Sequence, residues 1–366
     1  MNPFFPEISK NFGFGLMRLP MMGEDVDLQT TCKMVDAFLA AGFNYFDTAH
    51  PYIKGKSEQA VKACLSSRYP RERFVLANKL SDGCFSCAGD IRPLVNCQLD
   101  ACGVSYFDFY LMHAMTAQRH EKYQAMGAYD IAQALKAEGV LHHVGMSFHD
   151  SPAVLERILT ERPELEFVQL QFNYADYDDP NVRSRECYEV CRRHGKPVIV
   201  MEPVKGGSLV NLPEDALALL PGGSPASYAI RFAAGFDGIA MVLSGMSDEA
   251  QMADNLSFMT DFRPLSDQEQ ALISRVRTIC QARNRIPCTT CRYCTDGCPA
   301  GIPIPDLFAC MNRRRAGEGE PEKEYAAFPV GASACVGCGQ CEAACPQHLQ
   351  IRALLKEVSL EFENKK

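Results

Sequence analysis

Eighteen cysteines stand in this chain of 366 residues, and eight of them fall between Cys288 and Cys345 in a repeated spacing. Cys288, Cys291, Cys294 and Cys298, followed by Pro299, read C-x2-C-x2-C-x3-C-P, and Cys335, Cys338, Cys341 and Cys345, followed by Pro346, repeat it without deviation. Thiolates at this step are iron-sulfur ligands. Three close ones wrap three corners of a cubane, while the fourth lies too far along the chain and ligates the other cluster. On that reading Cys298 joins Cys335, Cys338 and Cys341, and Cys345 completes the set of Cys288, Cys291 and Cys294, which makes metal part of the fold. Structural zinc is the alternative. Zinc sites pair two C-x2-C knuckles, however, and a third cysteine at the same step plus Cys-Pro favours two 4Fe-4S clusters.

A second set of reactive residues lies in the first third of the chain. Asp47 closes the apolar run Phe43 to Asp47, Tyr52 follows five residues later, and Lys79 and His113 close the next two runs. The elements that must hold these residues form a series. Strand-like runs cover Gly13 to Arg18, Phe43 to Asp47, Phe74 to Lys79, Phe107 to His113, His142 to Ser147, Phe167 to Asn173, Pro197 to Glu202 and Ile239 to Gly245. Between them lie helix-period segments such as Leu28 to Ala41, Ser57 to Ser67, Asp90 to Cys102, Asp130 to Glu138, Pro152 to Leu159 and Val182 to His194, several closed by glycine. Eight alternations predict an α/β fold, a (β/α)8 TIM barrel, whose chemistry sits where strands end and loops begin. A doubly wound open sheet is the alternative, but no G-x-G-x-x-G turn leads from the first strand into a helix.

In order and context, Asp47, Tyr52, Lys79 and His113 resemble the Asp, Tyr, Lys and His tetrad of the aldo-keto reductases, and the resemblance covers about residues 10 to 260. It implies that Tyr52 donates a proton to a carbonyl oxygen as hydride arrives from a nicotinamide. A free tyrosine has a pKa of about 10, too high for that work near neutrality, so the Lys79 ammonium must favour the phenolate while Asp47 holds the lysine. His113 would orient and polarise the carbonyl. The resemblance further assigns Ser147 and Gln169 to the carboxamide, and Gly15, Met17 and Arg18, with Gly13, to the opening strand of the cofactor cradle. It also assigns Ser244, Gly245 and Met246 through Gln251 and Asn255 to the phosphate and adenosine loop. Gly245 and Gln251 stand where the family usually carries Lys and Arg for a 2′-phosphate, so either NADPH or NADH fits, and Met201 takes the place of a stacking aromatic. The tail resembles two-cluster ferredoxins of the helical type, with the helix-like Ile304 to Arg315 between its motifs.

Lesser candidates surround these. His149 is expected on the catalytic face as a substrate neighbour, and Cys84 and Cys87 form a C-x2-C after Lys79 that reads as unreactive thiols or a redox pair. Cys187 and Cys191 read as packing, His142 and His143 as satisfied histidines, and Glu342, Arg352 and the charges after Lys356 as a solvated helix face.

The boundaries expected are a barrel over 1–265, a connecting helix over 266–282 and a small, mainly helical ferredoxin-like iron-sulfur domain over 283–366. A formal charge of −8, with no basic run longer than Arg313 to Arg315, disfavours nucleic acid or an anionic membrane as partner. No apolar stretch is long enough to span a bilayer and no signal peptide opens the chain, so the cytoplasm is the expected location. Two functional classes follow. One is a nicotinamide-dependent oxidoreductase acting on a small-molecule carbonyl substrate or its alcohol. The other is an electron-transfer module that docks a redox partner protein through its tail, with the barrel as scaffold.

Overall fold

The computed structural model describes residues 2–363. Packing divides the chain into two compact units: residues 1–179, 183–203 and 226–267 form one, and residues 180–182, 204–225 and 268–366 form the other.

The first unit is a closed barrel of eight parallel strands: β1 (Phe12–Gly15), β2 (Tyr45–Asp47), β3 (Val75–Leu80), β4 (Phe107–Met115), β5 (Leu141–Phe148), β6 (Val168–Gln171), β7 (Val198–Met201) and β8 (Ile239–Gly245). Almost every strand residue is buried, as expected of parallel strands covered on both faces, which read as continuous apolar runs. Register aligns the strand ends. Asp47 pairs with Gly15 and Ala77, Lys79 with Leu111, and Ser147 with Gln169, so the expected site residues leave the sheet at one rim.

Aromatic bulk fills the interior below that rim. Phe5 meets Phe109 edge-on at 4.9 Å, and Tyr45, Phe109 and Phe167 pack with it. This filling explains Gly145: a Cβ there would sit 2.6 Å from the Phe167 ring and carbonyl. The strands differ slightly from their expected bounds. β1 stops at Gly15, and Leu16–Arg18 forms a 3-10 turn. β6 ends at Gln171 because the Asn173 side chain accepts from the amides of Ala175 and Asp176, while buried Asp176 accepts from Gln171 and Asn173. The expected helix from Ser57 to Ser67 begins at Lys56 and loosens into a π turn over Lys62–Ser66.

The second unit carries the helices Asp267–Ala282, Ile304–Ala316, Pro321–Ala326 and Ile351–Phe362, with single turns at Tyr293–Asp296 and Gln340–Ala343. Its core gathers Ile286, Ile302, Leu307, Phe308, Leu355 and Val358, and Tyr325 stacks on Phe362 at 4.5 Å. Arg352, Glu357 and Glu363 are exposed, as a solvated helix face should be, with Glu342 and Glu361 half-buried beside them, and these charges are paired at the surface; Lys365 and Lys366 lie outside the described residues. Glu342 accepts from both the amide and Nε of Arg352, while Glu357, Glu361 and Glu363 pair with Arg315, Arg314 and the Tyr325 hydroxyl. The segment Val204–Pro225 lies between β7 and β8 in sequence and packs within this second unit. Gly206 there has φ +61°, and a Cβ on it would stand 2.4 Å from the Thr289 carbonyl, so only glycine permits the approach. Among the described residues no helix is long and apolar enough to cross a membrane.

At the start of β5, His142 stacks on Tyr106, whereas His143 bridges Glu7 and Glu166, each at 2.8 Å. Burial works against the imidazolium, but the two carboxylates win and raise His143 to about 9. Burial likewise opposes the Glu166 charge, yet His143 and Lys136 hold it down at about 2. The His143 contribution is complete below its unfolded pKa of 6.5 and is lost as pH rises through about 9. The Glu166 contribution is complete above 4.5 and is lost as pH falls through about 2. His143→Gln should therefore lower the melting temperature at pH 6, and the gap to the unsubstituted protein should close as pH passes 9. Circular-dichroism melts across that range check it, and a gap independent of pH would refute the bridge.

Candidate active site and cluster pockets

At the rim of the barrel the structure brings Asp47, Lys79, Tyr52 and His113 together. Lys79 is fully buried on β3, and its Nζ donates to Asp47 Oδ1 at 2.5 Å and to the Thr48 carbonyl at 2.7 Å. Burial pulls the Lys79 ammonium below its ordinary value, and the charge of Asp47 opposes that fall. Asp47 Oδ2 accepts from Gln169 Nε2 at 3.2 Å, so β6 reaches across to steady the pair. Tyr52 begins a 3-10 turn anchored by its amide on the Ala49 carbonyl, and its ring centre lies 4.7 Å from Lys79 Nζ. The two following residues, Ile53 and Lys54, have φ of 50° and 54°, which is costly backbone for a β-branched residue. The His113 ring meets Tyr52 edge-on at 6.0 Å, and its Nδ1 is held by Ser81 Oγ at 2.6 Å. Burial, then the charges of Lys79, Arg119 and His149, push His113 well below its ordinary value, so the imidazole is neutral at physiological pH.

Two residues expected at the carboxamide also serve this arrangement. Ser147 Oγ accepts from the amide of Ala114, which follows His113 in a left-handed conformation with φ 53°, and Gln169 holds Asp47. Farther round the rim, Gly15 and Gly245 pair in register, with the Arg18 side chain lying along Gly245. Arg18 Nη2 stands 3.7 Å from Glu202. Ser244 Oγ donates to Asn255 Oδ1 at 2.8 Å, and Met246 is buried beside them. Gln251 closes the turn before its helix by accepting from the Ser247 amide and pairing with Asp248. Met17 and Met201 are half-buried.

His149 follows β5 with its amide on the Met115 carbonyl. Cys84 is half-buried, and burial with the nearby Glu58 and Asp82 charges raises its thiol; Cys87 begins the helix Ala88–Cys102. Cys187 and Cys191 are buried, the former raised to about 12 by burial.

Sequence reasoning missed the groups behind the site. Ser81 directly follows β3, two residues after Lys79, and extending the strand's period of two by one residue was signal enough to find it. Glu58 is fully buried and accepts from Asn78 Nδ2 and His50 Nδ1, each at 2.8 Å. Gln98 then links Asn78, the Lys79 carbonyl and the Tyr110 hydroxyl, which fixes the lysine's strand against its neighbours.

In the second unit, two small cavities are each walled by four cysteines. Cys288, Cys291, Cys294 and Cys345 line one, and Cys298, Cys335, Cys338 and Cys341 line the other, so each run lends its fourth cysteine to its counterpart's cavity. Among the described residues no group of three or more His, Cys, Asp or Glu is set to hold a single metal ion. Each cavity is also lined by one arginine paired with a carboxylate, Arg292 with Asp306 and Arg352 with Glu342, and Ile304 lies in both walls. The repeat extends to the backbone. Thr290, Arg292 and Gly301 have positive φ, and so do Gly337, Gly339 and His348 at the same steps of the second run. Successive turns of this kind aim amides inward, a geometry suited to an anionic iron-sulfur cube.

Comparison with known proteins places both parts. Residues 11–218 match the aldo/keto reductase family and residues 287–349 a 4Fe-4S dicluster domain. The chain is 26% identical over 194 residues to the uncharacterized oxidoreductase YqkF of Bacillus subtilis, covering 50% of this chain and 58% of that protein. It is 24% identical over 167 residues to the NAD/NADP-dependent indole-3-acetaldehyde reductase of Schizosaccharomyces pombe, covering 46% and 55%. The match thus spans little more than half the length of these curated relatives. Among solved structures, an aldo-keto reductase of Bacillus halodurans in its holo form is 26% identical at a TM-score of 0.60, covering 73% of this chain and 91% of that one. An aldo-keto reductase of Klebsiella pneumoniae in complex with NADPH, 19% identical at a TM-score of 0.57, covers 73% and 90% and shows the same fold.

The crossed cysteine walls make a specific expectation about metal. Cys298→Ser and Cys335→Ser fall on one cavity, so the double variant should lose no more iron than either single one, about half. Cys298→Ser with Cys288→Ser should lose nearly all. Iron and sulfide analysis of anaerobically purified protein decides; equal loss in both doubles would exclude the crossing.

Proposed function

Because the chain belongs to the aldo/keto reductase family, we propose that it is an NAD(P)H-dependent oxidoreductase that reduces a small carbonyl compound, or oxidises the alcohol, and carries two 4Fe-4S clusters in its tail. The observation that carries this reading is the buried Asp47 and Lys79 pair lying under the Tyr52 ring with His113 at its edge. The names of the fission-yeast relative and of the Klebsiella complex support a nicotinamide partner. Nicotinamide, when bound, supplies the hydride that the carbonyl carbon accepts.

The residues of this chain manage the proton. Tyr52 donates its phenolic proton to the carbonyl oxygen, leaving an alcohol, and in the reverse direction takes it back. The Lys79 ammonium, held by Asp47, favours the phenolate that this leaves behind. His113, neutral and fixed through Ser81, orients the carbonyl without competing as an acid. For the cofactor, Gly15 and Gly245 pair without side chains, which leaves room for a ligand to approach the backbone. The family resemblance is what assigns Ser147, Gln169, Met17, Ser244, Met246 and Asn255 to the rest of that route. Gly245 and Gln251 supply no charge for a 2′-phosphate, whereas Arg18, lying along Gly245, brings a cation to that place.

The tail supports a second role, that of an electron-transfer module docking a redox partner protein. Ile304 lines both cysteine cavities, so clusters held there are neighbours, and Cys338 with Val336 brings one of them to the surface. Reduction of the clusters by a one-electron carrier without any carbonyl turnover would favour this role over the reductase.

Tyr52→Phe keeps the ring and removes the acid. It should lower kcat roughly 10²- to 10⁴-fold while nicotinamide affinity, read by fluorescence titration, stays within error. Full turnover in this variant would remove the reading.

A further inference from the structure

Three neighbouring loops of the catalytic rim carry charges that the proton chemistry does not use. Asp82 follows β3, Arg119 and Lys122 lie on the helix Ala117–Ala125 after β4, and His149 follows β5. β3, β4 and β5 are adjacent in the barrel, so these residues share one quarter of the rim, the quarter where β4 delivers His113.

The charges are unequally satisfied. Lys122 hydrogen-bonds Asp82 directly. Burial works to raise Asp82, but Lys122 and Arg119 keep it ionised and below its ordinary value. Asp150, the other nearby carboxylate, accepts from the amides of Ala117 and Ser151 and so serves the helix start. Arg119 differs from both. Its guanidinium hydrogen-bonds an uncharged group, the Ala114 carbonyl, at 2.5 Å, and stands 3.7 Å from Asp82, beyond hydrogen-bond distance. Its side chain is 28% exposed, its Nη1 is on the Ala114 carbonyl and its Nε forms only this long ion pair with Asp82.

Position makes this charge relevant to substrate. Ala114 is the residue after His113, bent into a left-handed conformation, so the group that Arg119 grips is one peptide from the imidazole. Arg119 and His149 both add positive charge around His113 and help to lower it, and the chain sets His149 on the Met115 carbonyl two residues after His113. A guanidinium presents a planar, two-pronged donor edge that matches a carboxylate.

Resting on the reductase reading, we infer that the substrate is a carbonyl compound bearing a carboxylate, and that Arg119, with His149 beside it, receives the carboxylate while Tyr52 and His113 hold the carbonyl oxygen. Arg119 is then a specificity-determining residue. Charge-assisted hydrogen bonds of this kind are worth a preference of roughly ten- to a hundred-fold over a neutral analogue.

The test compares 4-formylbenzoate with 4-methylbenzaldehyde on the full-length, cluster-loaded protein. The unsubstituted protein should show kcat/KM at least about ten-fold higher for 4-formylbenzoate, and added salt should shrink the ratio. Arg119→Met should bring the ratio near one, and Arg119→Lys, which keeps the charge but not the fork, should restore part of it. A ratio near one in the unsubstituted protein overturns the inference. So does a ratio that survives Arg119→Met while both rates fall together, which would mark Arg119 as support for Ala114 only. If neither aldehyde turns over, the reductase reading has failed. Calorimetric binding of the two aldehydes then decides this inference separately: tighter binding of 4-formylbenzoate that Arg119→Met abolishes sustains it, and equal binding refutes it.

Discussion

A lysine with no exposed surface needs its counter-charge built into the fold, and the pairing of Lys79 with Asp47 is the constraint from which much of the barrel's rim follows. The two residues sit on adjacent strands, so their contact requires the register that sets Asp47 opposite Ala77. The second oxygen of Asp47 is taken by Gln169 from a strand on another side of the barrel, which ties the pair to closure itself. The Thr48 carbonyl takes another ammonium proton, and Gln98 and Asn78 fix the backbone on either side of Lys79. Desolvation lowers the lysine and the carboxylate resists it, so the ammonium depends on an undisturbed aspartate. Strain elsewhere is consistent with this economy. Ile53, Lys54 and Ala114 hold left-handed conformations next to Tyr52 and His113, and the surrounding hydrogen bonds, including Ser147 on the Ala114 amide, hold them there.

The tail answers to a different constraint. Its helices are short and its core is small, and its cysteine walls are assembled from both ends of the sequence repeat. Neither run can complete a four-cysteine wall alone, so metal binding and the joining of the two runs are one event. The shared backbone pattern shows how closely the halves correspond. Thr290 and Arg292 adopt the conformations that Gly337 and Gly339 take freely, so the loop geometry is kept at steric expense where glycine is absent.

Much of this was legible in the chain. Continuous apolar runs ending in Asp47, Lys79 and His113 gave the eight strands and their rim, because buried parallel strands are written in residues that have little choice. The cysteine spacing likewise carried the crossed walls. What escaped was set by side chains acting across the fold. Nothing local distinguishes Glu58 from a solvated helix residue, and its burial is visible only once Asn78 and His50 are brought to it. Arg352 is surface charge as it read, but its pairing with Glu342 joins residues ten apart across a turn and no local pattern announces it. Asn173 looked like strand because the apolar run reaches it, yet its side chain bonds forward and ends β6 first.

On the reductase reading, hydride transfer moves two electrons together, whereas a 4Fe-4S cube passes one, and no flavin motif lies between barrel and tail to convert between them. The connection from β7 to β8 leaves the barrel at Pro203, packs with the tail through Val204–Pro225, and returns at Ala226. Within the tail, Gly206 lies against Thr289, which stands between the cluster-wall residues Cys288 and Cys291. The residues that begin the connection, Met201 and Glu202, belong to the rim where Arg18 and Gly245 lie. The β7 to β8 connection thus belongs to the unit of the cysteine walls by its packing and to the barrel only by the residues at its two ends.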